Sequence, residues 1–329
     1  MAEARAGSSM GYRRVGTSGL VVSEVALGGW LTWGASVADD SARDCIRTAI
    51  EHGVTFLDTA DVYAAGKAET LLGSVIRDYE RSDLVVATKA YFRMSDNPND
   101  RGLSRKHLFE SLHKSLHRLG TDYVDIFQCH RFDPDVPVAE TVRAMDDLIR
   151  QGKTLYWGVS MWSAEQLREA LRIADATGAA RPISNQPEYN LLERSIEESV
   201  LPFCEREGIG QVVFSPLAEG LLTGKYGGGR VPEGSRGASE AWGRFLRDNM
   251  TAHNHAIVER LAAIAADAGM PLPVLALAWI LRQKNVASVI VGASRPDQVR
   301  ENLRAAGVRL QAPLLREIEA ALSGSLSAS

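Results

Sequence analysis

Short apolar runs alternate with longer amphipathic segments along most of the chain. Apolar runs bounded by turn residues are typical of buried strands, whereas apolar residues at every third or fourth position are typical of helices. The pattern predicts eight strands: Glu24 to Gly29, Val54 to Ala60, Asp83 to Ala90, Tyr123 to His130, Thr154 to Ser160, Pro182 to Tyr189, Gln211 to Leu217 and Val286 to Ser294. It predicts helices between them, one from Ser104 to Gly120 and others beginning near Asp40, Lys67, Val138, Ser163, Ser195 and His253.

A strand followed by a helix, repeated eight times, predicts an α/β fold of the (β/α)8 TIM-barrel type. The alternative for this pattern is an open doubly wound sheet, which often carries a G-x-G-x-x-G motif after its first strand. No such motif follows Gly29. The barrel is therefore the preferred prediction.

Three segments do not belong to the repeat. Thr17-Ser18-Gly19 lies between β-prone flanks and predicts an N-terminal hairpin that plugs one barrel end. Residues 218–251 are rich in glycine and too long for an ordinary connection, so they are predicted to be a functional loop. The stretch PLLREIEAALS predicts one extra helix near the C-terminus. Residues 1–10 are expected to be a disordered leader and residues 11–329 a single barrel domain.

Composition narrows the classes of protein that are compatible with this chain. Apolar residues make up 45% and charged residues 24% of the sequence, as in ordinary globular proteins. The net charge is −4 and there is no basic stripe, so nucleic acid is not expected as a partner. No apolar run approaches the length of a membrane span, and the start lacks the apolar region of a signal peptide. The three cysteines are far apart, which favours a reducing cytoplasm and predicts no metal site.

Polar residues follow several of the predicted strands, where the active sites of such barrels are built. Asp58 ends the second strand with Tyr63 just beyond, Lys89 ends the third and His130 the fourth. Taken singly, each has a simpler interpretation as a turn residue, a rim charge or a structural histidine. Further strand ends carry Ser160, Asn185, Gln186, Phe214, Ser215 and Pro216.

Together, the first four residues have the chemistry that a carbonyl reduction needs. Tyr63 can donate a proton, and the cation of Lys89 lowers the phenol pKa while burial raises it. Asp58 is expected to hold Lys89 in place and charged. His130 can donate a hydrogen bond that orients the carbonyl group.

Asp58, Tyr63, Lys89 and His130 occur in the order and context of the catalytic tetrad of the aldo-keto reductases, and nearly the whole chain resembles that superfamily. The resemblance is strongest to the potassium-channel β-subunit branch and its bacterial relatives, on the motifs DTADVYAAGKAE, RGLSRKHL, TVRAMDDLIRQGKTLYWGVSMWS and GLLTGKY. It implies that Tyr63 is the proton donor, that Lys89 tunes it, that Asp58 pairs with Lys89 and that His130 positions the substrate.

The resemblance also implies NADPH as the cofactor, bound without a Rossmann motif, with the loop 218–251 folding over it. Ser160, Asn185 and Gln186 match positions that hold the nicotinamide carboxamide, and Phe214 matches an aromatic residue that stacks under the ring. The positions implied to contact the rest of the cofactor are Gly29, Trp30, Asp58, Ser215, Pro216, Leu217, Ala218, Gly220, Lys225, Arg236, Gly292, Ser294, Arg295, Gln298, Glu301 and Asn302. Independently, Gly292 to Ser294 precede a helix whose N-terminus favours an anion.

The predicted substrate pocket is aromatic, although residues of this type are equally expected in a core. It comprises Trp30, Tyr63, Tyr91, Phe92, His130 and Trp162, with Trp33 nearby. Three positions depart from the pattern of the family. His130 replaces the asparagine of channel β-subunits, which favours catalysis, whereas Met161 replaces a basic residue and Glu219 a small or neutral one.

Three functions are compatible with these residues. The first is NADPH-dependent reduction of small aldehydes or ketones. The second is an NADP(H)-binding, redox-sensing module that resembles the channel β-subunits, and the third is an alcohol dehydrogenase working in the reverse direction. The sequence leaves open whether the chain forms a homo-oligomer.

Overall fold

The computed structural model describes residues 10–233, 235–238 and 243–323. All but the last residue of the expected leader therefore lies outside the described part of the chain.

Eight parallel strands close into a barrel, which confirms the predicted fold. Two short strands precede it, β1 (Tyr12–Arg14) and β2 (Val21–Ser23). The barrel strands are β3 (Val25–Gly28), β4 (Phe56–Asp58), β5 (Val85–Ala90), β6 (Val124–Cys129), β7 (Thr154–Ser160), β8 (Ser184–Gln186), β9 (Gly210–Val213) and β10 (Val286–Val291). Each pairs with the next along the chain, and β10 closes the barrel against β3.

Several strands are shorter than the apolar pattern predicts, and proline accounts for two of them. The predicted strand Pro182 to Tyr189 is ordered only as β8, which ends directly before Pro187. Proline has no backbone N–H to donate to a neighbouring strand, so regular pairing stops there and resumes only as an isolated bridge between Glu188 and Phe214. Likewise, β9 ends at Val213, before Pro216.

Helices surround the barrel and connect its strands. They are α1 (Asp39–Glu51), α2 (Lys67–Ile76), α3 (Arg105–Leu119), α4 (Val138–Arg150), α5 (Ala164–Thr177), α6 (Val200–Glu207), α7 (Arg244–Asn249), α8 (Ala252–Asp267), α9 (Leu272–Leu281), α10 (Pro296–Leu303) and α11 (Ala312–Ser323). Helix α11 is the predicted extra helix. Helix α9 was not predicted, because all ten of its residues are apolar and buried and it therefore lacks a polar face.

The N-terminal hairpin closes the barrel end at which the strands begin. Strands β1 and β2 pair in antiparallel register, and Val15 and Val22 pack with interior residues of the barrel such as Phe56 and Ile126. The hydroxyl of Ser23 is 3.2 Å from the backbone nitrogen of Thr55, just before β4. With this end filled by apolar side chains, the opposite end is left for a site.

The segment 218–251 is irregular, but much of it is packed. It contains the 3-10 turns Ala218–Thr223, Gly227–Gly229 and Arg236–Ala238 in addition to α7. Leu221, Leu222, Tyr226 and Leu246 are buried in the main hydrophobic cluster.

Within the described residues, no single helix has the length and apolar composition of a membrane span. Helices α8 and α9 meet that criterion only when they are taken together, across a bend of 93°.

Candidate active site

Three members of the predicted tetrad meet at the buried ammonium group of Lys89, near the carboxyl ends of β4 and β5. Lys89 is completely buried, and its Nζ donates to Asp58 Oδ2 at 2.6 Å and to the carbonyl oxygen of Thr59 at 2.7 Å. It also lies 3.3 Å from Tyr63 Oη. Three predicted residues are thus brought into direct contact. The alternation of side chains along β5 explains the placement of Lys89, which points into the barrel on the same face as Val85 and Ala87.

The second carboxylate oxygen of Asp58 accepts hydrogen bonds from two glutamines. Gln186 Nε2 is 2.9 Å and Gln128 Nε2 is 3.3 Å from Asp58 Oδ1. The contact of Gln186 differs from its predicted role at the cofactor, and Gln128 was missed altogether. A signal for Gln128 existed, because it lies two positions before His130 in the strand predicted from Tyr123 to His130, and alternation places both on one face.

Two opposing effects act on the pKa of the Tyr63 phenol, and burial is the larger of them. The hydroxyl is enclosed by protein, although part of the side chain is exposed at the barrel mouth. Burial raises the pKa of Tyr63 more than the attraction of Lys89 lowers it, so the phenol stays protonated at neutral pH. For Lys89, burial lowers the pKa, but Asp58 and Tyr63 raise it further, and the ammonium remains charged.

The ring of His130 lies against that of Tyr63. The two rings meet edge to face with centroids 5.7 Å apart, and Phe92 contacts the histidine from another side at 4.9 Å. Burial, Lys89 and Arg131 all lower the pKa of His130 well below its ordinary value, so the imidazole is neutral. Its Nδ1 is buried and has no hydrogen-bond partner within the described residues. A neutral imidazole can donate one N–H to a carbonyl oxygen.

The aromatic residues predicted to line the pocket divide into two groups. Tyr91 and Phe92 are half-buried and pack edge to face at 5.3 Å, and Trp30 is also half-buried. Trp33 and Trp162 are only 1% and 2% exposed and lie in the hydrophobic core. Core packing was the alternative interpretation of such residues, and it applies to these two tryptophans.

The three residues predicted to hold a carboxamide converge on adjacent strand ends. Ser160 and Gln186 are partners in the register of β7 and β8. Ser160 Oγ donates to the Gln186 carbonyl oxygen at 2.9 Å, and the Asn185 amide lies 3.4 Å from both the backbone nitrogen and the backbone oxygen of Trp162. These polar groups therefore already have hydrogen-bond partners within the protein, and a bound carboxamide would have to compete with those partners for the same hydrogen bonds.

The loop after β9 has an unusual backbone. Ser215, Ala218 and Glu219 have positive φ angles of 49°, 47° and 59°, which are uncommon for residues other than glycine. Met161 has a φ of 58° and is 46% exposed. Ser215 Oγ donates to Glu219 Oε1 at 2.5 Å. Conformations of this kind often occur at ligand sites, and here they include Met161 and Glu219, two of the positions predicted to depart from the family pattern.

The residues predicted to contact the phosphate end of the cofactor are more exposed and lie further apart in the chain than those predicted to hold the carboxamide. Ser294 precedes α10, and both its backbone nitrogen and its hydroxyl bond Gln298 Oε1, at 2.9 and 3.1 Å. Asn302 is buried, whereas Gly292, Arg295 and Glu301 are exposed. Exposed Lys225 has its Nζ 5.1 Å from the centre of the Tyr226 ring, and the side chain of Arg236 lies outside the described residues. Gly29, Pro216, Leu217 and Gly220 lie in the loops after β3 and β9.

The donor groups at the barrel mouth fit a nicotinamide cofactor, more closely at the nicotinamide end than at the phosphates. The hydroxyl of Ser160 and the amides of Asn185 and Gln186 lie on adjacent strand ends, and the half-buried side chain of Phe214 follows β9. At the other end, a methyl group added to Gly292 meets no atom closer than 3.9 Å, so there is room against the strand end. The carboxylate of Glu219 is the feature least suited to phosphate groups.

Arg131 and Glu188 also belong to the mouth, although sequence analysis singled out neither. Arg131 Nη1 donates to the His130 carbonyl oxygen at 2.6 Å and lies 3.3 Å from Ser160 Oγ. The backbone nitrogen of Glu188 is 3.4 Å from Met161 Sδ, and burial raises the pKa of Glu188 to about 7.

A closed parallel barrel with a lysine–aspartate–tyrosine cluster at its mouth is typical of a class of oxidoreductases. Residues 24–323 match the model of the aldo/keto reductase family, and the chain belongs to that family. It is 43% identical over 312 residues to a "Probable voltage-gated potassium channel subunit beta" of Arabidopsis thaliana, with 94% of each chain covered. A protein of the same description from Oryza sativa subsp. japonica is 43% identical over 302 residues, covering 91% of this chain and 92% of that protein. The predicted resemblance to this branch is confirmed.

Proposed function

We propose that the protein is an NADPH-dependent reductase of small aldehydes or ketones and that Tyr63 is the proton donor. The observation that carries this proposal is the set of contacts of Lys89, whose Nζ lies within 3.3 Å of Asp58, Thr59 and Tyr63. A buried cation beside a protonated phenol stabilises the negative charge that develops on the phenol oxygen as its proton leaves.

Each member of the tetrad has a distinct task in this proposal. Tyr63 gives its proton to the substrate oxygen, and neutral His130 donates a hydrogen bond that orients the same oxygen. Asp58 keeps Lys89 charged, while Gln128 and Gln186 hold the carboxylate of Asp58 in position. Ser160, Asn185, Gln186 and Phe214 would hold the nicotinamide, which supplies the hydride when it is bound.

Free cysteines support a cytoplasmic location. Cys45, Cys129 and Cys204 are all buried and unpaired within the described residues. Burial raises the pKa of Cys45 to about 11 and that of Cys204 to about 12, so both thiols remain protonated. Burial makes these thiols poorly reactive, and cysteines without disulfide partners are typical of proteins in a reducing compartment.

The decisive variant is Tyr63→Phe, which removes one hydroxyl and keeps the ring. We expect carbonyl reduction to fall by a factor on the order of 10² or more, as for other losses of a general acid, while NADPH affinity measured by tryptophan fluorescence changes little. Tyr156→Phe is the matched control, because Tyr156 lies on β7 toward the hairpin end and should leave turnover unchanged. Undiminished turnover in Tyr63→Phe contradicts the assignment.

The second candidate is an NADP(H)-binding sensor module, which the descriptions of the relatives as channel β-subunits favour. The same assays separate the two functions. Tight NADPH binding without reduction of any compound in a broad carbonyl panel supports the sensor. Oxidation of alcohols with NADP+ that is faster than carbonyl reduction supports the reverse reaction.

A further inference from the structure

We propose that Arg131 binds an anionic group on the substrate, so that the enzyme prefers aldehydes or ketones that carry a carboxylate. The inference rests on the proposed reductase function and names a substrate class for it. Carboxylated carbonyl compounds of this kind include the short semialdehydes and the 2-oxo acids.

The guanidinium of Arg131 is held at the barrel mouth from three sides. Its Nη1 donates to the carbonyl oxygen of His130 at 2.6 Å and lies 3.3 Å from Ser160 Oγ. Its central carbon is 5.6 Å from the centre of the Phe92 ring. The side chain therefore lies directly beside His130 and Phe92, the residues that surround the proposed position of the carbonyl group.

About three of the five N–H groups of this guanidinium make no hydrogen bond within the described residues. Among the described residues, its Nε and Nη2 have no hydrogen-bond partner, since every hydrogen bond of the side chain is made by Nη1. The guanidinium is planar and can bind a carboxylate through two parallel N–H groups. Arg131 is half-buried, so part of it is accessible to a ligand.

Arg131 also lacks a counter-ion. Within the described residues no carboxylate forms an ion pair with it, whereas Arg81 and Arg118, which are also half-buried, pair with Asp125 and Glu69 at 2.7 and 2.6 Å. Burial lowers the pKa of Arg131, which is the direction expected for a desolvated cation without a partner. A bound carboxylate would supply the missing charge.

Glu188 is the carboxylate whose charge acts on Arg131 from a greater distance. The negative charge of Glu188 partly offsets the positive charge of the guanidinium and so weakens its attraction for an anionic substrate. At pH 8, where Glu188 is mostly ionised, Glu188→Gln removes this charge and keeps the side-chain shape, so it should lower the KM for a carboxylated substrate more than the KM for a neutral one.

The test compares substrates that differ only in charge. 4-Formylbenzoate is paired with its neutral methyl ester, and succinic semialdehyde with butanal, and kcat/KM is measured for the wild type and for Arg131→Met. The wild type should prefer the anionic member of each pair. In Arg131→Met this preference should fall about tenfold or more, mostly through KM, because a charge-assisted hydrogen bond is lost.

Two variants control for charge and folding. Arg150→Met removes one positive charge from the exposed face of α4 and should keep the preference of the wild type. Arg131→Lys keeps the charge and should retain part of the preference. If Arg131→Met does not fold, partial loss of the preference in Arg131→Lys still decides the question, because full retention there, as in Arg150→Met, shows that the preference does not depend on Arg131. Equal use of both members of each pair by the wild type overturns the inference.

Direct binding separates this inference from the proposed function. Calorimetry with 4-formylbenzoate and its methyl ester, on protein saturated with NADP+, reports anion recognition even if no carbonyl is reduced. Tighter binding of the anion by the wild type, lost in Arg131→Met, supports the inference whether or not turnover occurs. Reduction of neutral aldehydes without preferential binding of the anion leaves the reductase function intact and rejects the role of Arg131.

Discussion

At the scale of a single residue, Lys89 combines catalysis and stability in one buried charge. Its ammonium is completely buried with Asp58, and removing one member of such a pair commonly costs about 3–5 kcal/mol. We expect Lys89→Met to lower turnover strongly and also to lower the free energy of unfolding, because it leaves the carboxylate of Asp58 buried without a cation. Urea unfolding and kcat measure the two effects.

The double variant Asp58→Asn, Lys89→Met distinguishes them. It removes both charges, so much of the lost stability should return while turnover stays low. Stability equal to that of the wild type in the single variant contradicts the importance of the pair.

At the scale of elements, Asp61 joins the loop after β4 to α3. Its Oδ2 accepts from Ser111 Oγ at 2.7 Å, whereas its buried Oδ1 has no hydrogen-bond partner within the described residues. Burial raises the pKa of Asp61 from 3.8 to about 7, with nearby Glu69 adding to the rise. The folded protein therefore holds a proton here that the unfolded chain releases near pH 4.

This raised pKa predicts that Asp61 lowers stability as pH rises from about 4 to about 7, by up to roughly 4 kcal/mol, with no further change above that range. Asp61→Asn, which does not titrate, should lack this loss. Its stability relative to the wild type is therefore expected to be higher at pH 8 than at pH 5 in urea unfolding. Asp40→Asn, at an exposed position on α1, is the control and should give the same difference at both pH values.

At the scale of the whole molecule, Glu24 connects the two ends of the chain. Buried before β3, it accepts from Arg13 Nε at 2.7 Å in the hairpin, and from Gly307 N at 2.8 Å and Arg309 Nη2 at 3.1 Å near α11. Burial raises the pKa of Glu24, but these donors lower it further, and the net pKa is lowered. Its contribution is therefore present above the unfolded pKa and is lost as pH falls through the folded value.

Glu24→Gln should destabilise the protein at pH 7 by about 1–3 kcal/mol, because the donors of two arginines lose their charged acceptor. The difference from the wild type should shrink in acid, where Glu24 itself becomes neutral. Chemical unfolding at pH 7 and near pH 3 measures both values. Glu51→Gln, exposed at the end of α1, should show no such difference, and a loss that is independent of pH contradicts the ionic explanation.

The periodic pattern of apolar residues determined the fold class and the location of most candidate residues. Strand and helix periods are local properties, and a parallel barrel brings the carboxyl ends of all its strands to one rim. For that reason Asp58, Lys89 and His130 could be assigned to one site from sequence, and Tyr63 with them.

Only the tertiary structure decided how these groups are held and which further groups join them. Gln186 contacts Asp58 across 128 residues of chain, and no local pattern records a pairing of that kind. Helix α9 has no polar face to reveal its period, because every side is packed. The pKa of Tyr63 depends on burial, which exists only once the barrel has closed. The same holds for Arg131, because the absence of a carboxylate partner within the described residues depends on how segments remote in sequence pack around it.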